Sequence, residues 1–192
     1  MAKGGGNTRN STWRNSGAVD NYILAYTAKG GPDYNFFYQY DTEENRQAFM
    51  RWLDTAPKMN GDTVYRGSYM LSGDIVRGTS FGEWEEGKTE FTGDMLGANS
   101  AQILSFSKDP ERVLGYGGMK PSPKRGYDTF ENQPQRVKFQ VETTGKGMVD
   151  ISSKSHYKVE QEAVAKTSSK FVYMGAEYKQ SGAFWIIKLK EV

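Results

Sequence analysis

The sequence predicts an α+β fold, and three observations carry that prediction. One segment, Thr42 to Ala56, has a sustained helical period. Behind it run several short strand-like stretches punctuated by glycine and proline. The chain also carries 22 glycines and 14% aromatic residues, which suits a loop-rich sheet protein better than a helical bundle. At 192 residues the length fits one domain with a sizeable core. We expect a flexible basic tail over residues 1–18 and a single domain over 19–192.

The elements follow in order. Residues 1–18 are glycine, asparagine, serine, threonine and arginine with little to bury, and no acid precedes Asp20. The tail reads either as a basic arm for an acidic partner or as an ordinary solvated terminus. Asn21 to Tyr26 and Tyr34 to Tyr40 read as strands separated by the turn signal Lys29-Gly30-Gly31-Pro32-Asp33. The helix comes next. Thr42 can cap its N-terminus, Glu43 and Glu44 sit in the first turn, and Phe49, Trp52, Leu53 and Ala56 form one apolar stripe. Pro57 and Gly61 end it.

Asp62 to Met70 reads as a strand, and Gly73 to Asn99 as long loops with one or two short strands. Ser100 to Ser107 is a strand running into a short helix that Ser107 or Asp109 can cap. Gly117 to Pro134 is a loop by composition, of a length usually reserved for function. The remaining strands are Gln135 to Glu142, Met148 to Ile151, Val159 to Ala165, Phe171 to Gly175 and Ala183 to Lys190, with a turn over Thr144 to Gly147.

Composition narrows the function classes. A net charge of +2 does not by itself imply a nucleic-acid partner. With no cysteine and one histidine, His156, neither a disulfide scaffold nor a metal site is expected. No apolar run is long enough to span a membrane, and the N-terminus lacks an apolar secretory stretch, so the expectation is a cytoplasmic protein.

Three short motifs carry the chemistry. The first is Tyr65-Arg66-Gly67 on a strand, and the second is Ser105-Phe106-Ser107 on a strand leading into a helix. The third is Glu160-Gln161-Glu162 followed by Ala163-Val164-Ala165. On a strand the two glutamates would share a face, about 7 Å apart at Cα. Two neighbouring carboxylates suit a reaction that builds positive charge on a sugar carbon while activating a second nucleophile. The spacing alone is unspecific, since Glu83-Trp84-Glu85 repeats it.

In this order and context the motifs resemble those of the Arg-Ser-Glu class of mono-ADP-ribosyltransferases. That class includes cholera-toxin-like, clostridial binary-toxin, vertebrate arginine-specific and T-even-phage enzymes. The resemblance covers roughly Asp62 to Gly175. It implies an ADP-ribosyltransferase-like fold, with two packed antiparallel sheets and flanking helices around an NAD-binding cleft. It also implies roles. Arg66 would grip the NAD diphosphate or adjacent ribose, and Gly67 would admit the nicotinamide carboxamide close to the backbone. Ser105 would hold the nicotinamide ribose or orient the catalytic acid, and Ser107 would fix the following loop. Phe106 stands where the family has threonine, and on an alternating strand it should face the core.

Glu162 matches the catalytic glutamate. A carboxylate bonded to the ribose 2′-hydroxyl stabilises the oxocarbenium-like transition state, and losing such a group costs on the order of 100-fold or more in rate. Glu160 matches the upstream glutamate of arginine-modifying members, which orients and deprotonates a guanidinium. Tyr157, in the loop before the catalytic strand, would contact the acceptor, while His156 would be an exposed loop residue. Tyr127 or Phe130 would stack in the loop that closes over NAD. The alternative His-Tyr-Glu class does not fit, because position 66 is arginine.

The function expected is transfer of ADP-ribose from NAD to an acceptor macromolecule, foremost a protein arginine, by a phage or toxin enzyme that modifies its host. A cognate inhibitor or antitoxin is a further expected partner. Three other readings stay open: ADP-ribosylation of RNA or DNA, NAD glycohydrolysis with water as acceptor, and a non-catalytic β-rich binding module.

Overall fold

The computed structural model describes residues 17–29, 31–97, 102–113 and 130–192. The chain forms two compact units: Met1–Ala56 with Ser153–Lys158, and Pro57–Ser152 with Val159–Val192. Among the described residues no helix is long and apolar enough to cross a membrane. Of the expected tail, residues 1–16 lie outside the described residues; Gly17 caps the first helix and Ala18 opens it.

The first unit is helical. It contains α1 (Ala18–Ala28), α2 (Tyr34–Phe37) running into a 3-10 turn (Tyr38–Tyr40), and α3 (Glu43–Thr55). The two strands expected here are therefore helices, although the turn between them is present. Short apolar runs do not distinguish strand from buried helix by period. In α1 nearly every side of the helix is covered, from Tyr22, Ile23, Leu24 and Ala25 to Thr27 and Ala28. Tyr22 packs on Phe49 of α3 at 5.2 Å between ring centroids. The α3 expectation holds in detail: the Asn45 amide donates to Thr42 Oγ1 at 3.2 Å, and Phe49 and Leu53 are buried.

Among the described residues the second unit is a sheet with one α-helix. Its elements are β1 (Asn60–Leu71), α4 (Ser72–Thr79), β2 (Glu90–Phe91), β3 (Ile103–Ser107), β4 (Pro134–Thr144), β5 (Val149–Asp150), β6 (Glu162–Lys166), β7 (Phe171–Lys179) and β8 (Phe184–Glu191). The helix α4 lies where loops were expected, because Gly73 and Gly78 mask its period. Close packing explains both glycines. A Cβ on Gly78 would overlap the Trp84 ring, and one on Gly73 would stand 3.1 Å from Glu131.

The hydrogen-bonded strand order is β2-β7-β8-β4-β1-β3-β6-β5. All pairs are antiparallel except β4 with β8, which is parallel. The α+β expectation holds, but the ladder is continuous rather than split into two sheets. It nevertheless makes two layers by curling. Four steps separate β7 from β3 in this order, about 19 Å across a flat sheet. Yet Phe106 of β3 and Phe171 of β7 stand 6.2 Å apart between centroids. The two halves of the ladder thus face each other across one core that includes Val64, Leu104, Phe106, Phe139, Phe171, Ile187 and Leu189.

Candidate functional site

The site begins with the pairing of β3 and β6. Ser105 lies opposite Val164, Phe106 opposite Ala163, and Ser107 opposite Glu162. Opposed residues of an antiparallel pair share a face. Leu104, Phe106, Ala163 and Ala165 therefore turn into the core, as expected for Phe106, and are buried. Ser105, Ser107 and Glu162 occupy the other face.

Glu162 is 7% exposed, and its carboxyl is pushed up to about 7. Burial is the main cause, a hydrogen bond from the Ser105 side chain opposes it, and the Glu160 charge adds to it. Its Oε2 is buried with no hydrogen-bond partner among the described residues. An acid held this way gains from any ligand that brings a hydroxyl donor or a positive charge.

Glu160 reaches this neighbourhood by a route the alternating-strand reading did not foresee. Strand β6 starts only at Glu162, while Lys158–Glu160 is a 3-10 turn. Between the two acids Gln161 has φ 46, in the left-handed region that side chains other than glycine seldom adopt. The same-face ladder of two glutamates is thus replaced by a turn. Its carbonyls are fastened to the end of β3: Ser107 Oγ donates to Glu160 O at 2.6 Å, and the Lys108 amide donates to Gln161 O at 3.0 Å. Ser107 Oγ also accepts from the Asp109 amide at 3.0 Å, so it fixes the following turn as expected.

Arg66 sits on β1 opposite Phe139. Three of its guanidinium bonds go to main-chain carbonyls: Nε to Leu96 at 2.7 Å, Nη1 to Ser105 at 2.9 Å and Nη2 to Gly97 at 2.7 Å. Ser105 is the pivot. Its carbonyl receives Arg66 and its side chain bonds Glu162, so the arginine and the acid share one neighbourhood.

Nothing local marks Leu96 and Gly97, which lie 30 and 31 residues from Arg66. The one hint is glycine itself, since Gly97 has φ 74 and a Cβ there would crowd Ser68 Oγ.

The other predicted residues fall as follows. Gly67 is half-buried on β1 opposite Lys138, whose ammonium lies over the Tyr65 and Phe184 rings. Phe130 is exposed on a 3-10 turn tied to the start of α4, where the Ser72 amide and hydroxyl both donate to Gln133 O. Tyr127 lies outside the described residues.

Tyr157 belongs to the helical unit, where its buried hydroxyl packs against Gly31. His156 is not the exposed loop residue expected, because its Nε2 meets Asp33 Oδ2 at 2.9 Å and its ring lies 4.7 Å from Phe37. The residue beside Glu160 that does face solvent is Val159, 61% exposed. An isolated apolar residue in a polar loop was the signal for it.

No protein-family model and no curated protein matches this sequence. Solved structures do. The ADP-ribosyltransferase Vis, a toxin of Vibrio splendidus, superposes with a TM-score of 0.58 in complex with the M6 inhibitor, at 20% identity over 91% of this chain and 71% of that one. Its complex with agmatine gives 0.54 at 21% identity, over 91% and 67%. Plx2a, an ADP-ribosyltransferase toxin from Paenibacillus larvae, gives 0.53 at 14% identity over 95% and 90%. C3stau2 from S. aureus, solved with NAD, gives 0.52 at 12% identity over 93% and 88%. The chain has the ADP-ribosyltransferase fold.

Proposed function

We propose that this chain is a mono-ADP-ribosyltransferase that moves ADP-ribose from NAD to a guanidinium, foremost a protein arginine, and releases nicotinamide. One observation carries the reading: Ser105 ties Arg66 through its carbonyl and the buried acid Glu162 through its side chain. The fold is that of ADP-ribosyltransferase toxins, one of them solved with NAD and another with agmatine, which bears a guanidinium.

The residues suit this chemistry. The bond from the ribose C1′ to nicotinamide breaks with its electron pair going to the ring nitrogen, which turns a cationic ring neutral and needs no general acid. Positive charge then develops on the ribose. A ribose hydroxyl fits the unpartnered Oε2 of Glu162, and the carboxylate stabilises that charge more in the transition state than in the ground state. The cationic nicotinamide ring favours the ionised acid as it binds. Arg66 holds the loop at Leu96 and Gly97 and brings its positive charge toward the diphosphate or ribose. Glu160 orients the incoming guanidinium and takes its proton as the new C–N bond forms.

The test is incubation of the full chain with labelled NAD and, separately, agmatine, a cell lysate, RNA and DNA. Label on agmatine and on nuclease-resistant protein is expected, and Glu162→Gln should lose both. Label on nucleic acid alone moves the acceptor, and free ADP-ribose alone makes the enzyme a glycohydrolase. No NAD turnover under any condition leaves a binding module.

A further inference from the structure

Lys138, in the middle of β4, is a buried charge outside the three motifs. It is 7% exposed, a situation that lysine seldom occupies unless something pairs with it. Among the described residues its ammonium meets no carboxylate and no hydrogen-bond acceptor. It lies over the rings of Tyr65, at 5.9 Å, and Phe184, at 5.1 Å. The Phe184 ring is in turn backed by Gly182, where a Cβ would come within 2.6 Å of it. Strand register places this cation on the face that carries Glu162. Gln140 stands opposite Tyr65, Tyr65 opposite Ser107, and Ser107 opposite Glu162, so the four share one face. Lys138 is two residues from Gln140 on the same strand and joins them there. Across from it on β1 is Gly67, which adds no side chain beside it.

We propose that Lys138 is a phosphate-binding residue for the dinucleotide: its ammonium takes the 5′-phosphate of the nicotinamide ribose while Glu162 takes a hydroxyl of that ribose. The proposal rests on the transferase reading above and names a contact that none of the motifs supplies. Charge is the first argument. Two ring faces only partly replace the water and counter-ion that a buried ammonium has lost, so an anion arriving there has much to add. At the far end of the row Glu162 keeps an oxygen without a partner among the described residues. The face therefore runs from acid to base, and NAD runs in the same sense from a cationic ring to an anionic diphosphate. Distance is the second argument. The ammonium lies over Tyr65, and from Tyr65 to Glu162 there are two strand steps, about 10 Å. One ribose with its 5′-phosphate, hydrogen-bonded at each end, fills such a gap. Arg66, one residue before Gly67 on β1, adds charge nearby but gives three N–H bonds to main-chain carbonyls.

The experiment uses the full chain with Lys138→Met, Lys138→Gln and Lys138→Arg. The control is Lys170→Met, which removes an exposed lysine paired with Glu90. Steady-state nicotinamide release is measured, together with calorimetric binding of ADP-ribose and of pyrophosphate. Lys138→Met and Lys138→Gln should raise KM for NAD, and weaken both ligands, by between about 10- and 100-fold, the effect of one hydrogen bond to a charged group. Their kcat should change little, because the contact is made equally before and during bond breaking. Lys138→Arg should recover most of the loss, and Lys170→Met should show none. In the unaltered chain, pyrophosphate should slow reductive methylation of Lys138, read by mass spectrometry, and leave that of Lys170 alone. Unchanged KM and ADP-ribose affinity in the Met and Gln variants, a fall in kcat without a rise in KM, or equal methylation with and without pyrophosphate overturns the proposal and leaves the transferase reading intact. A wild-type chain that turns over no NAD overturns the reading itself, while pyrophosphate binding and methylation still decide whether the anion site exists.

Discussion

The molecule buries two glutamates in opposite ways. Glu191, near the end of β8, is 2% exposed and receives four main-chain amides: Thr144 at 2.9 Å, Lys146 at 3.3 Å, Gly147 at 2.6 Å and Met148 at 2.7 Å. Glu162 is 7% exposed, has one serine side chain on its carboxyl, a like charge nearby and one oxygen without a partner. The first is a carboxyl whose hydrogen-bonding needs the fold meets in full, and it holds the turn before β5. The second is left incomplete. Buried polar groups are almost always satisfied, so an acid left wanting is where a ligand has something to add.

The largest effects come from removing each acid. Glu162→Gln should lower NAD cleavage by between about 100- and 1000-fold with the fold intact, measured as nicotinamide release. Glu191→Ala should do the reverse, costing about 3–4 kcal/mol in denaturant unfolding because several amides lose their acceptor together, with turnover per folded molecule preserved.

The next effect is one of pH. Burial pushes the Glu162 carboxyl up to about 7 in the folded chain, from an ordinary value of 4.5. Its protonated form is the one the fold prefers. Its stabilising contribution is complete below pH 4.5, fades as pH rises through 7 and is absent above. The difference should approach about 3 kcal/mol across that window. Unfolding free energies of wild type and Glu162→Gln, compared from pH 4.5 to 8, should diverge by that amount, with the variant the more stable at pH 8.

Glu160→Gln sharpens the contrast further. It should lower transfer to agmatine about 100-fold while sparing hydrolysis. It should also move the Glu162 transition to lower pH, since the Glu160 charge helps raise it. The smallest effect is Ser107→Ala, which frees the Glu160 carbonyl and should cost about 1 kcal/mol of stability.

Legibility in the sequence followed locality. The α3 helix was readable because cap, charge and apolar stripe all lie within one stretch, and β1 and β4 because alternation and bounding turns do. Arg66, Ser105 and Glu162 were readable as motifs, and the structure brings them together around Ser105. What escaped depends on distant partners. The α1 helix is buried on nearly every side, so its period vanishes. The α4 helix carries glycines that Trp84 and Glu131 require. The Glu160 turn depends on a strained Gln161, and nothing in Glu-Gln-Glu announces a positive φ.

The parallel pairing of β8 with β4 has a temporal side. In the ladder β8 sits between β7 and β4, so the sheet has a gap at its middle until the final strand is in place. During synthesis β4 emerges from the ribosome long before its neighbour exists, and the turn at 144–148 waits for Glu191 to arrive. Pairings so far apart in sequence close slowly. The acid at 162 is thus made well before the scaffold around it can shut, and a nascent chain stalled ahead of residue 184 cannot complete the sheet.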